Sequence, residues 1–221
     1  MSYLAALVPS RGRPQNIARL ISTCERTCTR DTVLHFGFDE DDPQLSANLA
    51  ELKWHTTALV RPRMGLAAWT NELARVNADA PYLASIGDDM VPVTGGWDER
   101  LMEACGSCGM AYPNDGRRDD IPEAIVMTGN IPRALGWICQ PSIGHWYTDN
   151  VWADIGRGAG CLAYLPDVLV EHRHPNVPGG DPPDMTYTEA AAGYAADLAA
   201  YQKWRLKGMR ADIAKVRALC G

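Results

Sequence analysis

Apolar residues along this 221-residue chain fall into short runs separated by turn-forming clusters. Residues Tyr3 to Val8 form the first run, broken by Pro9-Ser10-Arg11-Gly12-Arg13-Pro14. Ile17, Leu20, Ile21 and Cys24 then recur at helical spacing, predicting a helix capped by Asn16 and running to about Thr29. Thr32 to Phe38 reads as a second strand, Ser46 to Lys53 as a short helix, and Thr57 to Val60 as a third strand. Leu66 to Val76 has a helical pattern, and Tyr82 to Ile86 is the fourth strand. This alternation with short links predicts a parallel, helix-covered sheet with right-handed connections.

Beyond Asp89 the pattern loosens. Gly95-Gly96-Trp97-Asp98 opens a helix to about Ala104, and the polar stretch from Ala111 to Glu123 reads as an exposed loop. Ala124 to Thr128, Leu162 to Leu165 and Val168 to Glu171 read as short strands, and Asp149 to Gly156 as a short helix. Pro175, Pro178, Gly179, Gly180, Pro182 and Pro183 mark residues 174–185 as a mobile segment that orders over a ligand. Thr186 and Glu189 have capping-box spacing at the start of an alanine-rich helix reaching about Leu206, with a second helix after Gly208.

At 46% hydrophobic and 22% charged, the composition is globular, and the length suits one sizeable domain. The net charge of −6 argues against holding nucleic acid through a broad basic face. Charge is uneven: Lys203, Arg205, Lys207, Arg210, Lys215 and Arg217 outweigh Glu189, Asp197 and Asp212 in the tail. That basic tail either meets an anionic partner or is a solvated outer face. The N-terminal run has no basic leader, and no apolar run approaches membrane-spanning length, so a soluble, cytoplasmic protein is expected. Cys105-Gly106-Ser107-Cys108 has no partner motif at zinc spacing, and Cys24 and Cys28 lie four apart; reduced cysteines without metal or redox roles are expected.

Candidate chemistry sits where strands end. Tyr82-Leu83-Ala84-Ser85-Ile86 runs into Gly87-Asp88-Asp89. Carboxylates are hard ligands suited to Mg²⁺ or Mn²⁺, and open α/β sheets place ligands at strand carboxyl ends. Paired acids there equally suit a turn or a helix cap. Pro9, Ser10, Arg11 and Arg13 offer hydroxyl, guanidinium and backbone N–H groups to a nucleotide, and Asp39 ends a strand where it can meet a base or ribose. Arg61, Arg63 and Gly65 open a helix whose N-terminus favours phosphate. Together these describe a nucleoside-diphosphate site.

The ordered set Val8-Pro9-Ser10-Arg11-Gly12-Arg13-Pro14, Phe38-Asp39, Gly65-Leu66 with Asn71, and Tyr82 to Asp89 resembles the motifs of inverting, family-two-like GT-A glycosyltransferases. Thr148-Asp149-Asn150, Leu165-Pro166-Asp167-Val168 and Val170-Glu171-His172-Arg173-His174-Pro175 extend the resemblance to the small enzymes of phages and bacteria, over residues 3 to 175. It implies a GT-A fold, a Rossmann-like nucleotide-binding sheet with helices on both faces, at residues 1–185. A C-terminal helical appendage would follow at 186–221. It further implies that Pro9, Ser10, Arg11, Arg13, Asp39, Arg63, Gly65, Asn71 and Asp88 bind the donor nucleotide. Asp89 with His172 or His174 would hold Mn²⁺ or Mg²⁺, and Asp149 would be the catalytic base. The chain departs from the family's Asp-x-Asp by carrying Gly87 at its first position.

The implied activity is metal-dependent transfer of a sugar, with inversion, from a nucleotide-sugar donor to a hydroxyl on a protein or glycan. A hydroxymethylated base in phage DNA is the alternative acceptor, and a phage-encoded enzyme would work in the host cytoplasm. A nucleotidyltransferase and a non-catalytic nucleotide-sugar-binding module remain as other classes. Asp149 beside Thr148 and Asn150 also suits a helix cap. His172 and His174 alternate along a strand, so only one is expected to reach the metal. His145, Trp97, Trp137 and Trp146 are candidates for a sugar-binding cleft, while Trp54, Trp69, Trp152 and Trp204 read as core.

Overall fold

The computed structural model describes residues 3–53 and 55–221. Trp54, expected in the core, lies outside the described residues.

Strand β1 (Tyr3–Ser10) is an interior strand of the sheet. Its residues alternate between two cores. Leu4, Ala6 and Val8 pack on one side with Ile17, Leu20 and Ile21 of α1 (Pro14–Thr27). Ala5 and Leu7 pack on the other with Trp69 and Leu73 of α3 (Leu66–Val76). A strand covered on both faces reads as a continuous apolar run, which is why this segment is legible. Helix α1 starts at Pro14 rather than at Asn16, because a proline is preorganised for the first helical position and Arg13 is its cap residue.

Strands β2 (Asp31–Asp39), β3 (Thr56–Arg61) and β4 (Tyr82–Ser85) run parallel to β1, and α2 (Leu45–Ala50) links β2 to β3. The remaining strands are β5 (Met90–Pro92), β6 (Met110–Asn114), β7 (Ile125–Thr128) and β8 (Leu162–His172), giving the order β3-β2-β1-β4-β7-β6-β8-β5. The expected all-parallel sheet is therefore corrected: β7 runs antiparallel to β4 and β6, and β5 antiparallel to β8. The expected exposed loop at 111–123 is corrected too, since its first residues form β6, paired with β7 and β8. The two short strands expected between Leu162 and Glu171 are one strand, β8.

Helices α4 (Trp97–Cys105), α5 (Asn130–Leu135), α6 (Thr148–Ala159), α7 (Met185–Lys207) and α8 (Met209–Cys220) complete the chain. Helix α7 is capped by Asp184, whose carboxylate accepts the Tyr187 N–H at 3.2 Å. The expected Thr186–Glu189 capping box does not form; Glu189 pairs with Arg63 instead. The expectation of reduced cysteines is corrected at one pair: Cys108 and Cys220 form a disulfide that ties α8 to the segment before β6. Cys24, Cys28, Cys105, Cys139 and Cys161 are free. Among the described residues, no helix is long and apolar enough to cross a membrane.

Candidate active site

The carboxyl ends of β1, β2 and β4 open into one cavity of about 730 Å³. This is the point where the strand order turns away from β1 in both directions, the usual ligand position of open α/β sheets. Pro9, Ser10, Arg11, Arg13, Asp39, Asp88 and Asp89 line it from the strand ends, and Arg63 and Gly65 from the entry to α3. Asp149, His172 and His174 close it from the second half of the chain.

The seat of Asp39 is built by its neighbours. A Cβ at Gly37 would stand 2.5 Å from the Trp69 ring, so only glycine lets the indole lie flat on β2. From there Trp69 Nε1 donates to Asp39 Oδ1 at 2.7 Å, and the Met64 N–H donates to the same oxygen at 2.9 Å. Arg11 reaches Oδ2 at 3.1 Å. A buried carboxylate with this many donors is held in one orientation.

The two adjacent acids have opposite environments. Asp88 accepts the Ser10 hydroxyl at 2.6 Å and Arg13 at 2.9 Å. Burial nonetheless raises its carboxyl above the ordinary range, against the pull of Arg13. Burial would raise Asp89 as well, but His172, Tyr187 and Arg13 outweigh it and hold that carboxyl well below the usual range. Its partners stand at 3.4 Å (His172 Nε2), 2.6 Å (Tyr187 hydroxyl) and 3.7 Å (Arg13). Gly87 now has a physical reason: a Cβ there would lie 2.5 Å from Asp89 Oδ1. The missing first acid of the family pattern leaves room for the last one.

His172 ends β8 between two carboxylates, with Nε2 towards Asp89 and Nδ1 2.5 Å from Glu123. Burial alone would lower its pKa; the two acids raise it to about 9. His174, beyond the strand end, turns back so that the two rings meet edge to face at 5.3 Å. Strand alternation stops at His172, so the two side chains are not sent to opposite faces of the sheet. Both line the cavity.

Asp149 is the second residue of α6. The cap position is Tyr147, which makes no side-chain cap bond, and the Asp149 carboxylate accepts the N–H of Asn150 at 2.9 Å. Burial, aided by the charge of Glu123, pushes its carboxyl up to about 6.

Asn71 is the exception among the expected donor contacts. Its carbonyl accepts the N–H groups of Ile138 and Cys139, each at 2.9 Å, and its amide donates to the Cys139 carbonyl at 2.7 Å. It does not line the cavity; it positions the loop behind it. Arg63 is engaged with Glu189 at 2.5 Å. The opening turn of α3, expected to face phosphate, sends the Ala67 N–H to the Gly144 carbonyl at 3.0 Å. Trp97 is a core residue and Trp137 packs against the core, so neither forms the cleft; His145 and Trp146 do line it.

The segment expected to be loose carries firm contacts. Arg13 clamps Asp184 at 2.6 and 2.9 Å, Arg19 donates to Asp181 at 3.0 Å, and the Asp181 N–H donates to the Arg173 carbonyl at 2.8 Å. Helix α7 then forms a wall of the cavity through Tyr187, Gly193, Tyr194 and Asp197. Asp197 is buried and accepts the N–H groups of Gly144, His145 and Trp146 at 2.8, 2.9 and 2.9 Å. Asp197→Ala would leave those groups unpaired and should cost about 3 kcal/mol, a fall in Tm of roughly 6–12 °C. A thermal melt checks this; an unchanged Tm would show that the loop does not depend on Asp197.

Sequence reading missed Glu123, Asp184, Tyr187 and Asp197. Each acts through a partner distant along the chain, and only the polar character of these residues was visible beforehand.

Among the described residues, no group of three or more His, Cys, Asp and Glu is disposed to hold a metal ion. Asp89 presents a hard oxygen, and His172, oriented by Glu123, would add an imidazole nitrogen beside it on giving up its proton to an incoming cation. That donor set fits a divalent cation that keeps other positions for phosphate oxygens and water.

No protein-family model and no curated protein sequence matches the chain. Solved structures do. A mannosyltransferase from Pyrobaculum calidifontis, in complex with GDP-Man and Mn²⁺, superposes with a TM-score of 0.66 at 14% identity, covering 98% of this chain and 79% of that one. Residues 1–349 of S. aureus TarS superpose with a TM-score of 0.58 at 10% identity, over 77% of this chain and 59% of that one. A complex of the same TarS fragment with UDP-GlcNAc gives a TM-score of 0.56. The chain spans 79% of the mannosyltransferase and 57–59% of the TarS fragment, and its sheet, curled and covered by helices on both sides, is that of the GT-A glycosyltransferases.

Proposed function

We propose that this protein is an inverting glycosyltransferase that moves a sugar from a nucleotide-sugar to a hydroxyl acceptor. One observation carries the reading. Ser10, Asp39, Asp88 and Asp89, His172 and Asp149 come from widely separated stretches of chain and line a single cavity at the sheet's carboxyl end. Solved neighbours of the same fold hold GDP-Man with Mn²⁺ or UDP-GlcNAc, which supports a nucleotide-sugar donor.

Asp39 and the β1 end seat the nucleoside, and Arg13 stands where a diphosphate would compete with Asp184 for its guanidinium. Asp89 and His172 would hold Mn²⁺ or Mg²⁺. Such an ion stabilises negative charge on a leaving diphosphate. Asp149 takes the acceptor hydroxyl's proton as that oxygen attacks the anomeric carbon. The bond from that carbon to the phosphate oxygen breaks, and the nucleoside diphosphate departs with the bonding pair. A single base opposite the leaving group inverts the configuration. The acceptor hydroxyl belongs to a protein or a glycan, with a hydroxymethylated DNA base as the alternative.

The test is donor turnover. GDP-mannose and UDP-GlcNAc, each with Mn²⁺, should raise Tm by mass action and be consumed to the nucleoside diphosphate. Release of pyrophosphate would instead identify a nucleotidyltransferase. Stabilisation by the donors without consumption, under any acceptor condition, would identify a binding module.

A further inference from the structure

We propose that Tyr147 and Tyr194 form a stacking subsite for an uncharged pyranose, so that the hydroxyl presented to Asp149 belongs to a sugar ring. This rests on reading the cavity as a sugar-transfer site.

Backbone geometry gives the first ground. Tyr147 has φ 72°, and among the described residues it is the only non-glycine with positive φ. An L-residue pays roughly 1–2 kcal/mol for that region, which glycine enters freely. What the strained conformation delivers is an aromatic side chain two residues before Asp149, on the cavity wall. Strain of this kind persists where the surroundings over-determine it. Here Asp197 fixes the three residues before Tyr147, and α6 begins immediately after it.

The second ground is a pair of cavity-wall aromatics held still. Tyr147 stacks on Tyr201, with centroids 5.0 Å apart and planes 15° from parallel, and its hydroxyl meets that of Tyr194 at 2.6 Å. Trp146 meets Tyr194 edge to face at 5.5 Å and anchors itself by donating Nε1–H to the Ala190 carbonyl at 2.6 Å. Tyr201 and Trp204 pack α7 on the core, whereas Tyr194 is 46% exposed and lines the cavity. A flat apolar body with a polar tip complements a pyranose, which has an apolar C–H face and a rim of hydroxyls.

Charge selects the uncharged ring over a nucleotide acceptor. A flipped base also stacks on aromatics, but its phosphates need cations. Arg117 and Arg118, which line this part of the cavity, are both committed. Arg117 reaches both oxygens of Glu123 at 2.9 Å, and Arg118 bonds both oxygens of Asp120 at 2.6 and 2.7 Å. A phosphodiester would meet Glu123 and Asp149 instead.

Saturation-transfer NMR on the full chain tests this. The probes are the methyl pyranosides of mannose, glucose, galactose and N-acetylglucosamine, a serine- and threonine-containing peptide, and a hydroxymethylated oligonucleotide. At least one pyranoside should bind, with saturation strongest on its C–H face. Its affinity should fall about tenfold or more in Tyr194→Leu, which keeps bulk without the ring, and persist in Tyr194→Phe and Tyr194→Trp. Matching melts of the three variants would show that the fold is intact. The proposal is overturned if no pyranoside binds the parent protein, if Tyr194→Leu binds it equally, or if the peptide or oligonucleotide binds in its place. Donor consumption by the parent protein tests the sugar-transfer reading separately.

Discussion

Asp149→Asn is expected to cut sugar transfer by about 10²-fold or more while leaving donor affinity in place, given the usual size of general-base effects. Asparagine keeps the shape and the contact with the Asn150 N–H but cannot accept the hydroxyl proton. The parent enzyme should show the titration directly. Its carboxyl is pushed up to about 6, and the base must be ionised, so transfer should rise with pH through about 6. That limb should vanish in the variant. Stability should move oppositely. A carboxyl whose folded pKa is raised loses stability as pH climbs from its unfolded value near 4 through 6, because the folded site disfavours the ion. Asparagine escapes that loss, so the variant should melt no lower than the parent at pH 8. Near-parental turnover in the variant, with the pH limb intact, would remove Asp149 from the mechanism.

Asp89→Ala is expected to abolish transfer and the Mn²⁺-dependent part of nucleotide binding. The carboxyl is held ionised by His172, Tyr187 and Arg13, so it is ready at any ordinary pH to face a cation. Free Mn²⁺, followed by its EPR signal during titration with GDP or UDP present, reads the loss without relying on turnover. Some loss of fold stability should accompany it, since the Tyr187 hydroxyl and the His172 ring lose a partner; breaking buried charge pairs costs about 3–5 kcal/mol. Parental Mn²⁺ and nucleotide affinity in a folded Asp89→Ala protein would place the cation elsewhere.

The first half of the fold was legible because its signals are local. A strand buried on both faces is an apolar run, and a helix on the sheet repeats its apolar face every three to four residues. Hence β1, α1, β2, α3 and β4 all followed from pattern, and the strand-end residues Ser10, Asp39, Asp88 and Asp89 followed from where those runs stop. The second half was less legible for the same reason. Strand β6 is disguised by Pro113 and by the charges that follow it, and β5 is only Met90–Pro92, too short to show a period. Asn71 matched a motif position, yet three-dimensional packing gave its amide to the loop at Ile138 and Cys139.

The sequence by itself determined which residues could be chemical and that several stand at strand ends, because a strand terminus is written in neighbouring positions. Only the tertiary structure decided what those residues face. Asp89 meets Tyr187 across 98 positions and Arg13 meets Asp184 across 171, and no periodicity encodes such pairs. The same holds for Glu123 behind His172 and for Asp197 beneath the loop that carries Tyr147. The tail, expected as an appendage, became a wall of the cavity because burying Trp204 and pairing Asp197 with three backbone N–H groups require that α7 lie against the domain. Hydrogen bonds and ion pairs act over a few ångströms in space, so their partners are settled by where the chain returns, which is a property of the packed molecule.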